Sequence, residues 1–444
     1  MTQVVHLHVG GPKSGTTFIQ QVLEHNAAAL ADAGVLVVGP RLELIHAAMA
    51  VRGDARLDDL PAAARDAWDR VTEQVREWHG TSAVVSYELF ANASAEQVRA
   101  ALARLEGIEV HVVVTARDLG QAIASSWQEQ LKFGTTRPLE SWSPPGEGAP
   151  GSEWGWRTMQ PANVAARWGA GLPAERVHVV TVPSRAAGPD ELWHRFAAAT
   201  GLGAVEGLDL EVERANESLG VVEAELLRRV NAGIDGRIRG GRQKSLWIRD
   251  LLAHTILAPI GREPIGLTAA HAEEAAAEAE SAIAAITEAG WTVHGDLADL
   301  RPAPVDARLP GQVSDTEVAG SAALALADLL VWAREAGADV RTPAAATPGA
   351  GAAPHGGRRS RAVAEVKGAV AGSLARLSNP VRDRRVARLE QRIAELEAQV
   401  EESRALHLRV ATLSDVVAQL LLPAAQQDED LTMQALRSYR DRSL

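Results

Sequence analysis

The sequence predicts an α/β protein: a central, mostly parallel sheet of about five strands flanked by helices, with a helical, coiled-coil-like extension at the C-terminus. Three observations predict it. Short β-branched runs alternate with amphipathic helical stretches through roughly the first 200 residues. A glycine-rich turn joins the first such run to the first helical stretch. A Pro/Gly/Ala-rich segment then separates this region from a short heptad pattern near the end.

The strand candidates are Val4–Val9, Val35–Val38, Ala83–Ser86, Val110–Thr115 and Val177–Val182. Between the first two, Phe18, Val22 and Leu23 recur at helical spacing, and Gly34 is a natural stop. "SAEQVRAALARLEG" opens on a capping box, Ser94 with Gln97, then places Val98, Leu102 and Leu105 on one face and closes at Gly107. Glu191 to about Ala298 reads as helical and completes the same domain. Pro302, Pro304 and Pro310 interrupt it, and one further helix fits Thr316 to Glu335. The resulting division is 1–300 for the α/β domain, 301–341 for a helical appendage, 342–361 for a flexible linker and 362–444 for a basic segment with a coiled-coil-like helix.

In that last segment Leu389, Ile393, Leu396 and Val400 form two heptads, and Leu406, Val410, Leu413, Val417 and Leu420 resume the seam after a slip. A helix this apolar needs a partner, and a homodimer through it is the expectation. From His355 to Arg392 there are ten Arg/Lys against three Asp/Glu. A solvated basic face is the favoured reading; peripheral contact with an anionic membrane is the lesser one.

The 444 residues carry a net charge of -12, which gives no electrostatic case for nucleic-acid binding. There is no cysteine, so disulfides, thiolate metal sites and a cysteine nucleophile are excluded. The N-terminal residues show no signal peptide, and no run approaches 18 uninterrupted apolar residues. A cytoplasmic protein without a membrane span is the expectation.

The first turn reads "VGGPKSGTTF". A strand followed by such a turn and a helix aims backbone N–H groups at one spot, which favours an anion. Gly10, Gly11 and Gly15 permit close backbone approach, and Ser14, Thr16 and Thr17 add hydroxyl donors. The lysine is out of place for a Walker A loop: Lys13 precedes Gly15 instead of following the last glycine. After the fourth strand comes "VVVTARDLGQAIASSWQEQLKFG". Arg117 ends the strand, Asp118 is a helix N-cap, and Ser125 lies two turns into the helix. A strand-end arginine and a serine at that offset can reach one phosphate together.

Together these stretches resemble the sulfotransferases that use 3′-phosphoadenosine 5′-phosphosulfate (PAPS), and Ala215–Gly220, "ANESLG", is similar to bacterial, actinobacterial-type members. The resemblance covers roughly residues 1 to 300. It implies a P-loop NTPase-like sheet, a donor 5′-phosphosulfate on Pro12–Thr17, and a 3′-phosphate on Arg117 and Ser125. It places Lys13 at the bridging oxygen as the S–O bond breaks. No metal is needed for that role, and no acidic or histidine cage for one is visible.

Transfer to a hydroxyl also needs a proton acceptor, a histidine or glutamate in that family. Glu88, just past the third strand, is the candidate base. His46, in "ELIHAAMAVRGD", is the runner-up and a candidate substrate contact. His6, His8, His111 and His178 sit within strands and read as packing or buried hydrogen bonds. Trp127, Gln128 and Lys132 are balanced between acceptor cleft and helix core. Arg237, Arg239 and Arg242 lie in a basic, glycine-rich stretch that lacks a clean match to the family's late 3′-phosphate loop. The resemblance implies a carbohydrate, glycolipid or natural-product acceptor, sulfated at a hydroxyl or amine. Two other classes stand beside it: a P-loop kinase or NTPase, disfavoured by the lysine order, and a non-catalytic binding or assembly protein.

Overall fold

Alternation in the sequence becomes layering in space. The structure is a computed structural model that describes residues 2–335 except 147–151, 185–186, 213–217 and 305. By its contacts the chain divides into a unit of Met1–Ala325 and a second of Leu326–Leu444. The first unit holds six strands: β1 (Val4–His8), β2 (Val35–Val37), β3 (Ser82–Ser86), β4 (Glu109–Ala116), β5 (Val177–Thr181) and β6 (Thr292–His294). They lie in the order β2-β3-β1-β4-β5-β6, and every neighbouring pair is parallel.

Helices α1 (Thr16–His25) and α2 (Ala27–Asp32) follow β1. Helices α3 (Arg41–Arg52) and α4 (Ala67–Glu77) precede β3, and α5 (Ala95–Ala103) precedes β4. After β4 come α6 (Leu119–Lys132), α7 (Trp156–Met159) and α8 (Pro161–Trp168). After β5 come α9 (Glu191–Thr200), α10 (Val221–Ile234), α11 (Gly241–Lys244), a π-helix over Ser245–Leu257 and α12 (Ala269–Ala289). Last is α13 (Asp315–Glu335), which opens one residue before the helix expected from the sequence.

Strand alternation splits the core in two. Val5, Leu7, Val85, Val112 and Val114 face one way, against Trp68, Phe90 and Trp168 from the layer of α3, α4, α5 and α8. Val84, Val113 and Val180 face the other way, against Ile19, Val22 and Leu23 of α1 and Leu192, Trp193 and Phe196 of α9. In the first layer Phe90 meets both tryptophans edge to face, a favoured aromatic geometry. The expected capping box is present: Gln97 N–H donates to Ser94 Oγ at 3.2 Å, and Ser94 N–H donates to Gln97 Oε1 at 2.8 Å.

The five expected strands are all present, and β6 is a sixth. Its three residues are too few for a period-two pattern, and it exists by pairing with β5 at the sheet edge. Residues 303–311 are hydrogen-bonded back onto the first unit, through Ala303 N–H to Asp118 Oδ2 at 2.9 Å and Gly311 N–H to Glu140 Oε1 at 2.7 Å. By length and composition alone α13 would pass for a membrane span, against the expectation of none, and only 22% of its apolar window is buried. Its first turns belong to the first unit and are tied within it by polar contacts: Arg229 to Asp315 at 2.7 Å, Arg308 to Glu317 at 2.9 Å and Ser321 to Glu223 at 2.9 Å. The expected linker, basic segment and heptad helix of 342–444 lie outside the described residues, as do residues 215–217 of "ANESLG".

Candidate active site

The strand order reverses direction at β1, with β3 on one side of it and β4 on the other. In open α/β sheets ligands bind outside the carboxyl ends of the strands at such a point. The turn after β1, the turn after β3 and the turn after β4 all emerge there.

The turn after β1 is closely approached. A Cβ on Gly11 would lie 2.4 Å from the carbonyl oxygen of Thr158, so only glycine fits beneath α7. Gly15 takes φ +82°, and Lys13 adopts φ +64°, a left-handed conformation that a residue with a side chain rarely visits. Arg117 holds it there: its Nη1 donates to the Lys13 carbonyl at 2.6 Å and also reaches Ser125 Oγ at 3.4 Å. The arginine, the serine and the loop, distant in sequence, are thus brought together as expected from their spacing. Thr16 is buried and Thr17 half-buried in the first turn of α1, and no side chain caps that helix. Its first backbone N–H groups therefore lack a side-chain acceptor and favour an anion.

Ser14 turns its hydroxyl under the loop, where it donates to Gly11 O at 2.5 Å. A carbonyl only accepts, so the direction of the next bonds follows. Thr115 Oγ1–H donates to Ser14 Oγ (2.6 Å), His8 Nε2–H donates to Thr115 Oγ1 (3.2 Å), and Ser86 Oγ–H donates to His8 Nδ1 (2.7 Å). His8 is therefore a neutral Nε2–H tautomer. Burial agrees, lowering its pKa from 6.5 to about 3. This buried relay props the loop from the strands beneath.

Lys13 points at an acid that sequence reasoning missed. Glu129 Oε1 lies 3.4 Å from Lys13 Nζ and 2.8 Å from Lys132 Nζ. Burial by itself raises the pKa of this carboxyl, but the ammonium groups of Lys132 and Lys13 outweigh it and hold the group at about 2. Arg249, on the π-helix, adds a further favourable charge. In sequence, Glu129 and Lys132 look like an ordinary solvated i,i+3 pair. Only the packing of α6 beneath the loop shows them to be buried, at 2% and 0% exposure. The balanced reading of "SSWQEQLKFG" resolves toward the core: Trp127 is fully buried, and its Nε1 donates to Arg137 O at 3.0 Å. Gln128 is nearly as buried and accepts from Leu219 N–H at 2.8 Å.

Glu88 opens the short turn Glu88–Asn92 after β3 and is half-buried. Gln20, one turn along α1, donates to Glu88 Oε2 at 2.9 Å, so the carboxylate stands beside the anion-binding helix. The turn is clamped from behind. Arg167 donates to Ala91 O at 2.7 Å and Ala93 O at 3.1 Å, and Trp168 donates to Phe90 O at 3.0 Å. Its neighbour Tyr87 is pushed up to about 12, by burial first and then by the Glu88 charge, and stays protonated at neutral pH. Two oxygen acids are thereby disfavoured as bases: Tyr87 does not ionise, and Glu129 is held too weakly basic. His46 lies on α3, which packs against the Glu88 turn; it is half-buried and has no polar partner among the described residues. Arg237 and Arg239 reach the carbonyls of Ile234 and Gly236 at the end of α10, which is helix capping.

A second feature lies at the opposite edge of the sheet. A cavity of about 1010 Å³ opens at the amino ends of the strands, lined by His6, His111, His178, Asp32 and Glu206 among others. His111 Nε2–H donates to Glu109 Oε1 (2.9 Å), and His111 Nδ1 lies within hydrogen-bond distance of His178 Nε2 (2.8 Å). His178 Nδ1 lies 3.1 Å from His294 Nε2. Among the described residues no group of three or more histidine, aspartate or glutamate side chains is suited to a metal ion.

Comparison with known proteins adds three findings. A family described as a domain of unknown function, DUF6752, matches residues 389–443. No curated protein matches the chain. Among solved structures, the chain is similar to a sulfotransferase from Alicyclobacillus acidocaldarius at 13% identity, over 56% of this chain and 96% of that one, with a TM-score of 0.31. It is also similar to the sulfotransferase domain from the curacin biosynthetic pathway at 12% identity, over 45% of this chain and 74% of that one, with a TM-score of 0.28. At TM-scores this low neither likeness bears on what this chain does.

Proposed function

We propose that the protein is a PAPS-dependent sulfotransferase acting on a hydroxyl or amine of a carbohydrate, glycolipid or natural-product acceptor. The observation that carries this reading is Arg117, which ties the backbone of Lys13 to Ser125 beside the uncapped start of α1. A loop with close glycines, one lysine and one forked guanidinium suits a nucleotide with two separate phosphate groups. The donor, when bound, supplies the sulfuryl group. Gly11, Gly15 and the amides of Thr16 and Thr17 would hold its 5′ end, and Arg117 with Ser125 its 3′-phosphate. Lys13 neutralises charge developing on the bridging oxygen. Glu88, steadied by Gln20, takes the acceptor proton.

The test is incubation of the purified protein with labelled PAPS and cell extract, followed by mass spectrometry of what gains a sulfate. Label appearing on a hydroxyl- or amine-bearing small molecule supports the reading; no transfer to any component, with no binding of the product nucleotide, overturns it. The coiled-coil-like helix within 362–444 is assigned to assembly as a homodimer, and no part of 342–444 to chemistry. Deleting from 344 onward should leave turnover on a small acceptor intact and give a monomer in light scattering; a full-length monomer at tens of micromolar would contradict the assignment.

A further inference from the structure

Beneath the loop, one buried carboxylate serves two ammonium groups. Glu129 and Lys132 sit one turn apart on α6 and are sealed from solvent, while Lys13 reaches in from the loop with 23% of its side chain exposed. The closer of the two pairs is internal to α6, at 2.8 Å, and the pair with Lys13 is looser, at 3.4 Å.

We infer that Glu129 is a positioning residue that holds Lys13 in the donor-free site and yields it to the donor, with Lys132 as the fixed counter-charge. This rests on the donor-site reading above. Glu129 and an anion on the loop compete for the same ammonium group. When Lys13 turns to the anion, Glu129 stays buried. A lone buried carboxylate would be strongly unfavourable, and that cost would lock the lysine in place. Lys132 removes the lock, because it remains within hydrogen-bond distance and keeps the acid paired. The cluster thus passes from two cations sharing one anion to a neutral buried pair and a lysine committed to the donor. With Lys132 and Lys13 both beside it, Glu129 is held at about 2 against the opposing effect of burial and is ionised in the donor-free site.

The two arms of the cluster make opposite predictions for binding of adenosine 3′,5′-bisphosphate, measured by calorimetry. Glu129→Gln combined with Lys132→Met removes the competitor without stranding a charge, and affinity should rise roughly three- to ten-fold, the scale of a partly buried ion pair. Lys132→Met alone leaves Lys13 as the one ammonium group beside Glu129, with Arg249 adding only a further charge, and affinity should fall by a similar factor. Both shifts should vanish when Lys13→Ala is added, because the competition runs through Lys13. Should the double variant not fold, Glu129→Asp keeps the charge, shortens the reach to Lys13 and should also tighten binding. A purely structural Glu129 would weaken binding in every variant, in step with lost thermal stability, and would do so without Lys13 as well; that result overturns the inference. If the wild-type protein does not bind the bisphosphate, the donor reading falls and the inference with it. If wild type binds and the Glu129 variants gain nothing, only the inference falls.

Discussion

The two edges of the sheet meet the same problem, polar groups buried between strands and helices, in opposite ways. At the carboxyl edge a buried cluster stays ionised. Lys13, Glu129 and Lys132 are held by mutual pairing, with Glu129 a carboxylate at 2% exposure, and Arg117 is held by the Lys13 carbonyl and Ser125. At the amino edge buried imidazoles are discharged. His6 is lowered to about 3 and His178 to about 4, in both cases mainly by burial and then by neighbouring histidines. The His111–His178–His294 row is a continuous line of ring-nitrogen contacts ending on Glu109, which Arg176 also pairs. The contrast has a physical reading. Keeping buried charge requires compensating partners, and it serves a site that must bind and stabilise charge. A neutral imidazole costs far less to bury than a charged one.

The comparison is broken most severely at Lys13. Lys13→Ala should leave the fold intact and reduce sulfate transfer by more than about 10³-fold, with a smaller loss of product-nucleotide affinity. Near-normal turnover in that variant would mean the carboxyl edge does not do the assigned chemistry. Next comes the base. Glu88→Gln keeps the hydrogen bond with Gln20 available but cannot accept a proton, and kcat should drop about 10²–10⁴-fold with donor affinity nearly unchanged. An active Glu88→Gln enzyme beside an inactive His46→Ala enzyme would move the role to His46. Arg117→Ala should act on binding more than on turnover, weakening the bisphosphate roughly 10- to 100-fold through loss of charge-assisted hydrogen bonds. Equal binding by that variant would separate the arginine from the nucleotide.

The smallest effect sharpens the other edge. His6 has a folded-state pKa of about 3, below the ordinary 6.5, as does His8 beneath the loop at the carboxyl edge. The unfolded chain therefore takes up protons first as pH falls. Stability is full above about pH 6.5 and declines between there and pH 3, by on the order of 2 kcal/mol for each such histidine by pH 5. His6→Gln removes one titrating group and should flatten the mean slope between pH 7 and pH 5 by about 1 kcal/mol per pH unit in denaturant titrations, with transfer unchanged. An unaltered slope would show that the row is not the source of acid sensitivity.

Much of this was legible in the chain itself, and the part that was not has a common cause. The loop and its lysine announce themselves because anion binding at a helix start is local: glycines, hydroxyls and strand-to-helix order are contiguous. Arg117 and Ser125 are legible because both lie within one strand-to-helix unit. Asp118 caps α6 as expected, accepting from Gln121 N–H at 3.0 Å. What escaped was set by tertiary packing. Glu129 has the sequence surroundings of a surface acid, and its role comes from the loop lying over α6. Trp127, balanced between cleft and core, is decided by a backbone carbonyl ten residues away. The histidines read singly as packing or buried hydrogen bonds, but their alignment into a row depends on strand register, with His6 opposite His111. Strand β6 needed its neighbour to exist.

The claim at the centre is that the carboxyl edge holds a nucleotide with separate 5′ and 3′ phosphate groups, not a triphosphate. Calorimetric titration of the purified protein with adenosine 3′,5′-bisphosphate and, separately, with ATP tests it most directly. The account predicts saturable binding of the bisphosphate, diminished by Arg117→Ala, and ATP binding at least about 100-fold weaker. Tighter binding of ATP, or bisphosphate binding indifferent to Arg117, would contradict it.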